Sequence, residues 1–151
     1  MSTATFPAQP VTDEAAILDL IHSIAQAHHD KDAAAIAVPF APDAAIYSLA
    51  PPLVHRGIDL AEKQEWLDTW ETPVEIEPRD FTVRVSGGLA VAHGYMRLSG
   101  TKNGAAQSIS FWMRSTLCLE RAGSGWRIVH EHQSVPFYMD GSLRPAFDLQ
   151  P

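Results

Sequence analysis

The 151-residue chain is 46% hydrophobic and 19% charged, long enough to enclose one hydrophobic core and too short for two ordinary domains. Eleven basic against 18 acidic side chains leave a formal charge of -7, the wrong sign for gripping a nucleic-acid backbone, so no nucleic-acid partner is expected. A single cysteine, Cys118, excludes an internal disulfide framework and a multi-thiolate zinc site, and no apolar run is long enough to cross a bilayer; a cytoplasmic protein with no membrane partner is expected.

Residues 1–11, with Pro7 and Pro10, read as a disordered or extended arm, residues 12–141 as a single domain, and residues 142–151 as a tail. Thr12 can cap a first helix whose positive end meets Asp13 and Glu14. Ile17, Leu20, Ile21, Ile24 and His28 recur at helical spacing, forming a stripe that must be buried, and the helix runs to about His29. A short second helix runs from an Asp32 cap through the alanine run to Val38, where Pro39 stops it. Alternation from Ala44 to Leu49 predicts a strand; Pro51 and Pro52 interrupt it, and Leu53 to Arg56 is again extended. Leu60, Trp66, Leu67 and Trp70 predict a third helix over about 58–70, ended by Pro73.

Four strands follow, Val74 to Ser86, Leu89 to Gly100, Gln107 to Arg121 and Trp126 to Val135, separated by glycine-rich turns. Long strands joined by tight turns pair as an antiparallel meander, and helices placed before them cover one face of it. The expected class is α+β: an antiparallel meander with three N-terminal helices on one face.

Strict alternation along the last strand puts Trp126, Ile128, His130 and His132 on one face, opposite Arg127, Val129, Glu131 and Gln133. Read inward, the first face carries two large apolar residues followed by two imidazoles, which near neutral pH suit proton transfer. The expected catalytic set is His132, His130, Arg114 and Tyr47, with Arg114 or Tyr47 steadying developing oxygen charge. The expected ligand-binding set is Trp66, Trp70, His93, Trp112 and Ile128. The preceding strand allows either Trp112, Arg114, Thr116 and Cys118 or Phe111, Met113, Ser115 and Leu117 to face the helices, and Arg114 is assigned inward. His28 and His29, at a helix C-terminus, read as capping residues, His55-Arg56-Gly57 as a loop edge, and Cys118 as an apolar filler. His130-Glu131-His132 permits two metal ligands, but no third stands at diagnostic spacing, and the glycine patterns of nucleotide sites and the Gly-x-Ser-x-Gly elbow do not occur; neither metal nor cofactor is expected.

The order helix, short helix, strand, helix, meander, ending in Trp126-Arg-Ile-Val-His-Glu-His-Gln-Ser134, resembles the nuclear transport factor 2-like superfamily. Within it the SnoaL-like, ketosteroid-isomerase-like group is most similar, through Leu49-Ala-Pro-Pro-Leu-Val-His-Arg-Gly57 and His130 to Gly141. The resemblance spans about Thr12 to Gly141 and implies a cystatin-like cone, formed by the curved antiparallel meander and covered by the three N-terminal helices, with a small-molecule cavity at its wide end and a homodimer through the outer sheet face. The superfamily it implies hosts isomerases, dehydratases, cyclases, epoxide hydrolases and domains that only bind or assemble; with the paired imidazoles, the expectation is a cofactor-independent isomerase or lyase acting on a small apolar or hydroxylated substrate, the alternative a non-catalytic ligand-binding or assembly domain. The closing His-x-His also resembles the association domain of calcium/calmodulin-dependent protein kinase II. The first helix has no tyrosine and the face assigned inward offers no carboxylate, which argues against a literal ketosteroid isomerase.

Overall fold

The computed structural model describes residues 11–151; the expected arm, apart from Val11, lies outside the described residues. Helix α1 spans Asp13–His29, with the Thr12 hydroxyl accepting from the Ala15 amide at 3.1 Å, the capping bond its sequence foreshadows. Helix α2 is Ala33–Ala37, capped by Asp32, and α3 is Leu60–Asp68, capped by Asp59. Three small oxygen-bearing side chains thus take up the free amides that would otherwise leave each helix start unsatisfied.

Six strands form one sheet: β1 Phe40–Tyr47, β2 His55–Arg56, β3 Glu75–Ser86, β4 Leu89–Gly100, β5 Ile109–Ala122 and β6 Gly125–Ser134. The order is β2-β1-β6-β5-β4-β3. β3 to β6 make the antiparallel meander, while β1 adds to β6 in parallel, because the chain must cross the whole domain between them. β1 begins earlier than alternation suggests, and Pro42 is accommodated because the ladder with β6 is interrupted between Phe40 and Ala45. Gly57 packs into that interruption: its φ is +70°, and a Cβ there would lie 2.1 Å from the Pro42 carbonyl oxygen.

The core lies between the helices and the inner sheet face. Ile17 and Ile21 of α1, Ile36 of α2 and Leu67 of α3 meet Ala90, Ala92, Met96, Met113, Leu117, Leu119 and Ile128 from the strands. On β4 the small residues mark the covered side, and on β5 Met113, Ser115, Leu117 and Leu119 do. Arg114 and Trp112 therefore point outward, contrary to the expected register, because the buried parity belongs to the apolar set.

A second correction concerns β6. Leu119 pairs with Ile128, but the preceding residue of β5, Cys118, pairs with His130, leaving Val129 as a bulge. The extra residue reverses the alternation. Trp126 and Ile128 face the helices before it; Glu131 and Gln133 do so after it, and His130 and His132 turn to the outer face.

The N-terminus of α1 is fastened to the far end of the sheet: Arg121 donates to both Asp13 oxygens at 3.1 and 2.8 Å, and Trp126 Nε1 to Asp13 Oδ1 at 3.1 Å. These bonds hold the Asp13 carboxyl below its ordinary pKa, the Arg121 bond contributing most. The C-terminus of α1 is held to the start of β3 by His29 and Glu75, 2.8 Å apart. No helix among the described residues is long and apolar enough to cross a membrane.

Candidate active site

Between the C-terminal half of α1, helix α3, the β1–β2 loop and the inner face of β3 to β6 lies a cavity of about 290 Å³. Its walls are mostly hydrocarbon: Ile24, Ile36, Ile46, Ile58, Ile76, Met96, Leu98, Met113 and Leu117. Into it project His28 from α1, Lys63 and Trp66 from α3, and Glu131 and Gln133 from β6, with Ser48, His55, Asp59 and Glu62 also on the wall. An apolar chamber with a few convergent polar groups is the usual form of a small-molecule site.

Helical spacing explains the first group. His28 stands one turn beyond Ile24 on the α1 stripe, and its Nδ1 lies 2.8 Å from the Ile24 carbonyl oxygen. A carbonyl can only accept, so the proton sits on Nδ1 and Nε2 keeps its lone pair. Burial, with the positive charge of Lys63 adding to it, holds the imidazole down to about 4 against the favourable carbonyl bond. On α3, Lys63, Trp66 and Leu67 are successive members of one stripe, which Trp70 continues just past the helix end; Leu67 and Trp70 are buried. Lys63 Nζ lies 4.9 Å from the centre of the Trp66 ring, and its side chain makes no hydrogen bond or ion pair to any described residue. Burial lowers its amine below the ordinary lysine value, opposed by the charges of Glu131 and Glu62.

Glu131 reaches the cavity through the Val129 bulge. Gln133 Nε2 donates to its Oε1 at 3.0 Å. Burial raises its carboxyl above the ordinary glutamate value, with the Lys63 charge, the Gln133 bond and His130 pulling the other way. The cavity thus holds a carboxyl made more basic, an amine made less basic and a neutral imidazole.

Of the residues singled out from sequence, Trp66 lines this cavity. Trp70 is buried behind it, with ring centres 5.6 Å apart. Ile128 is wholly buried in the core and does not reach the cavity wall. Tyr47, His130 and His132 form a separate aromatic cluster on the outer face: Tyr47 is 4.8 Å from His130 and 5.4 Å from His132 between ring centres, and His130 Nδ1 bonds the Ala45 carbonyl at 2.7 Å. Arg114, on the same face, donates to Ser134 Oγ at 3.1 Å. His93 pairs across the ladder with Thr116 beside this cluster, and Trp112 is flanked by Arg79 and Arg97 at 5.5 and 5.7 Å. Among the described residues no group of three or more His, Cys, Asp or Glu side chains is placed to hold a metal ion.

The groups missed were Glu131, Lys63, His28 and His55. His28 belonged to the apolar stripe already visible in the sequence, and Lys63 stands three residues before Trp66; either spacing marks an inward position. His55 faces the cavity because it pairs with the inward Ile46.

The model of the SnoaL-like domain family matches residues 17–138. A nuclear transport factor 2-like protein of unknown function from Pseudomonas putida is 30% identical, with 94% of this chain and 100% of that one covered and a TM-score of 0.78. A candidate scytalone dehydratase from Novosphingobium aromaticivorans has the same fold at 14% identity, with 88% of this chain and 90% of that one covered and a TM-score of 0.73. A candidate aromatic ring hydroxylase from the same organism is 20% identical over 83% of this chain and 90% of that one, with a TM-score of 0.70. No curated protein matches the chain. The inner cavity, the mixed six-stranded sheet and the match over 17–138 lead to one conclusion: the chain belongs to the SnoaL-like domain family of the nuclear transport factor 2-like superfamily, with its cystatin-like fold.

Proposed function

We propose that the protein is a cofactor-independent isomerase or lyase that moves a proton on a small, largely apolar or hydroxylated molecule held in the inner cavity. The observation that carries this reading is the Glu131 carboxyl, set in a hydrocarbon-walled chamber and oriented by Gln133. A carboxylate whose basicity is raised by burial is a stronger proton acceptor than one in water, and it is already aimed at whatever fills the chamber. His28 supplies the imidazole that the sequence reading sought in His130 and His132, as a neutral ring with a free Nε2 lone pair. Where about 150 Å³ holds a benzene, a cavity of about 290 Å³ suits about twelve non-hydrogen atoms.

The test uses 2-tetralone, an enolisable bicyclic ketone of that size, with α-proton exchange in deuterium oxide followed by NMR. The wild-type protein accelerates exchange, and Glu131→Gln loses about 10²- to 10⁴-fold, the usual contribution of a positioned base. Equal rates for the two proteins would remove Glu131 from its role. Binding without any acceleration would identify a non-catalytic ligand-binding module instead.

A homodimer through the outer sheet face belongs to the same proposal, supported by Tyr47, Val91 and Tyr95, which remain 41%, 40% and 38% exposed there. The mass of a single chain in light scattering at micromolar concentration would contradict it. A reducing, cytoplasmic setting is likewise proposed, in keeping with the single cysteine.

A further inference from the structure

We propose that Lys63 is a nucleophile that captures an aldehyde or ketone as an imine inside the cavity, so that the substrates of this protein are carbonyl compounds. The inference deepens the proposed function and rests on the same cavity.

The chain has three lysines, and the structure treats them differently. Lys31 Nζ donates to the Trp70 carbonyl. Lys102 Nζ donates to Thr69 Oγ1 at 2.6 Å and lies 4.0 Å from the centre of the Trp70 ring. Both are engaged in holding α3 and its C-terminal end in place. Lys63 has no such duty: its amine stands on the cavity wall beside the Trp66 ring, without a hydrogen-bond partner among the described residues. An ammonium there, on a half-buried side chain against hydrocarbon and with no ion pair among the described residues, is hydrated less well than one in open water, so the neutral amine, which is the nucleophile, is favoured relative to an exposed lysine. The charged and titratable groups facing it are His28 from α1, Glu62 on its own helix and Glu131 from β6.

Glu131 supplies the proton traffic that imine chemistry requires. The Lys63 nitrogen lone pair forms a bond to the carbonyl carbon, and a proton passes from nitrogen to the former carbonyl oxygen, giving a carbinolamine. Protonated Glu131 then gives its proton to that hydroxyl, which leaves as water as the carbon–nitrogen double bond forms. The resulting Glu131 carboxylate takes a proton from the carbon next to the iminium, leaving an enamine. Returning the proton to a different carbon of a conjugated substrate, followed by addition of water, releases an isomer and restores the amine. No oxidant or reductant enters.

The experiment incubates the whole protein with 2-naphthaldehyde and sodium cyanoborohydride at neutral pH and maps the added naphthylmethyl group by peptide mass spectrometry. Tryptophan fluorescence quenching by the same aldehyde, without reductant, is measured in parallel. Label on Lys63 is expected to exceed that on Lys31 and Lys102 together, and Glu131→Gln to slow labelling at Lys63 while leaving the other two unchanged. Lys63→Arg keeps a long cationic side chain at the site; it should lose that label while the circular dichroism of the native chain is retained. Saturable quenching with label spread evenly over the three lysines would overturn the imine while leaving the cavity as a binding site. Absence of both quenching and Lys63 label would overturn the proposed function together with this inference.

Discussion

Lowering the pH should destabilise the native chain through His28. The imidazole is held down to about 4 in the native state, against 6.5 when free, chiefly by burial. Below pH 6.5 the unfolded chain takes up a proton at this residue, whereas the native chain does so only below about 4, so stability is lost as the pH falls through that interval and is fully present above it. At about 1.36 kcal/mol per pH unit, the gap corresponds to about 3 kcal/mol, a sizeable part of the stability of a domain of this length. Glu131 works in the opposite sense. Its carboxyl is raised, so the native state binds the proton first and gains stability as the pH falls. The contribution of His28 is therefore read from the difference between wild type and His28→Gln in urea unfolding at several values between about pH 7.5 and about pH 4. Wild type should lose about 3 kcal/mol relative to the variant across that range, and the His28 ring should stay neutral by NMR at about pH 5. A pH-independent difference, or a ring that titrates like a free imidazole, would refute the reasoning, because burial beside Lys63 could not then be as drawn.

Leu117→Ala, which removes a fully buried side chain at the cavity floor, should cost about 2 to 5 kcal/mol in urea unfolding. Gly57→Ala should cost more than the roughly 1 to 2 kcal/mol of a left-handed backbone alone, since the Pro42 carbonyl must also move, and the same assay checks it. On the outer face, His132→Ala should leave the affinity for 2-tetralone within about twofold of wild type by fluorescence titration, as surface substitutions generally do. Trp66→Leu, by contrast, should weaken that affinity about tenfold or more, since an aromatic wall of the cavity is lost.

Much of the architecture was legible because it depends on local rules. Thr12 and Asp32 marked the starts of the first two helices, since an oxygen at that position answers free amides whatever the tertiary context. The glycine turns at 87–88 and 123–125 delimited the meander strands to within a residue or two. The site was less legible, because it depends on parity along strands. Alternation predicts faces only while the ladder is regular, and the residue that breaks it, Val129, is an ordinary strand former with no glycine or proline to announce a bulge. Hence the imidazoles were assigned to the interior and Glu131 to the exterior, the reverse of their placement. On β5 both parities mix apolar and polar residues, and only packing beneath the helices selects the one with Leu117 and Leu119.

Helix α1 is anchored at both extremities, by Arg121 and Trp126 at Asp13 and by Glu75 at His29. These end contacts, added to the buried stripe of Ile17 and Ile21, oppose a swing of the helix away from the sheet to admit a guest. Helix α3 is braced too, by Gln64 donating to the Lys31 carbonyl and Asn103 to the Asp68 carbonyl. Adjustment to guests of different bulk then falls to the stretch from Ser48 to Val54, where Leu49 lines the cavity and Leu53 stands almost free of packing. Breadth of ligand choice in this protein should accordingly be set by the composition of that short span and not by the helices.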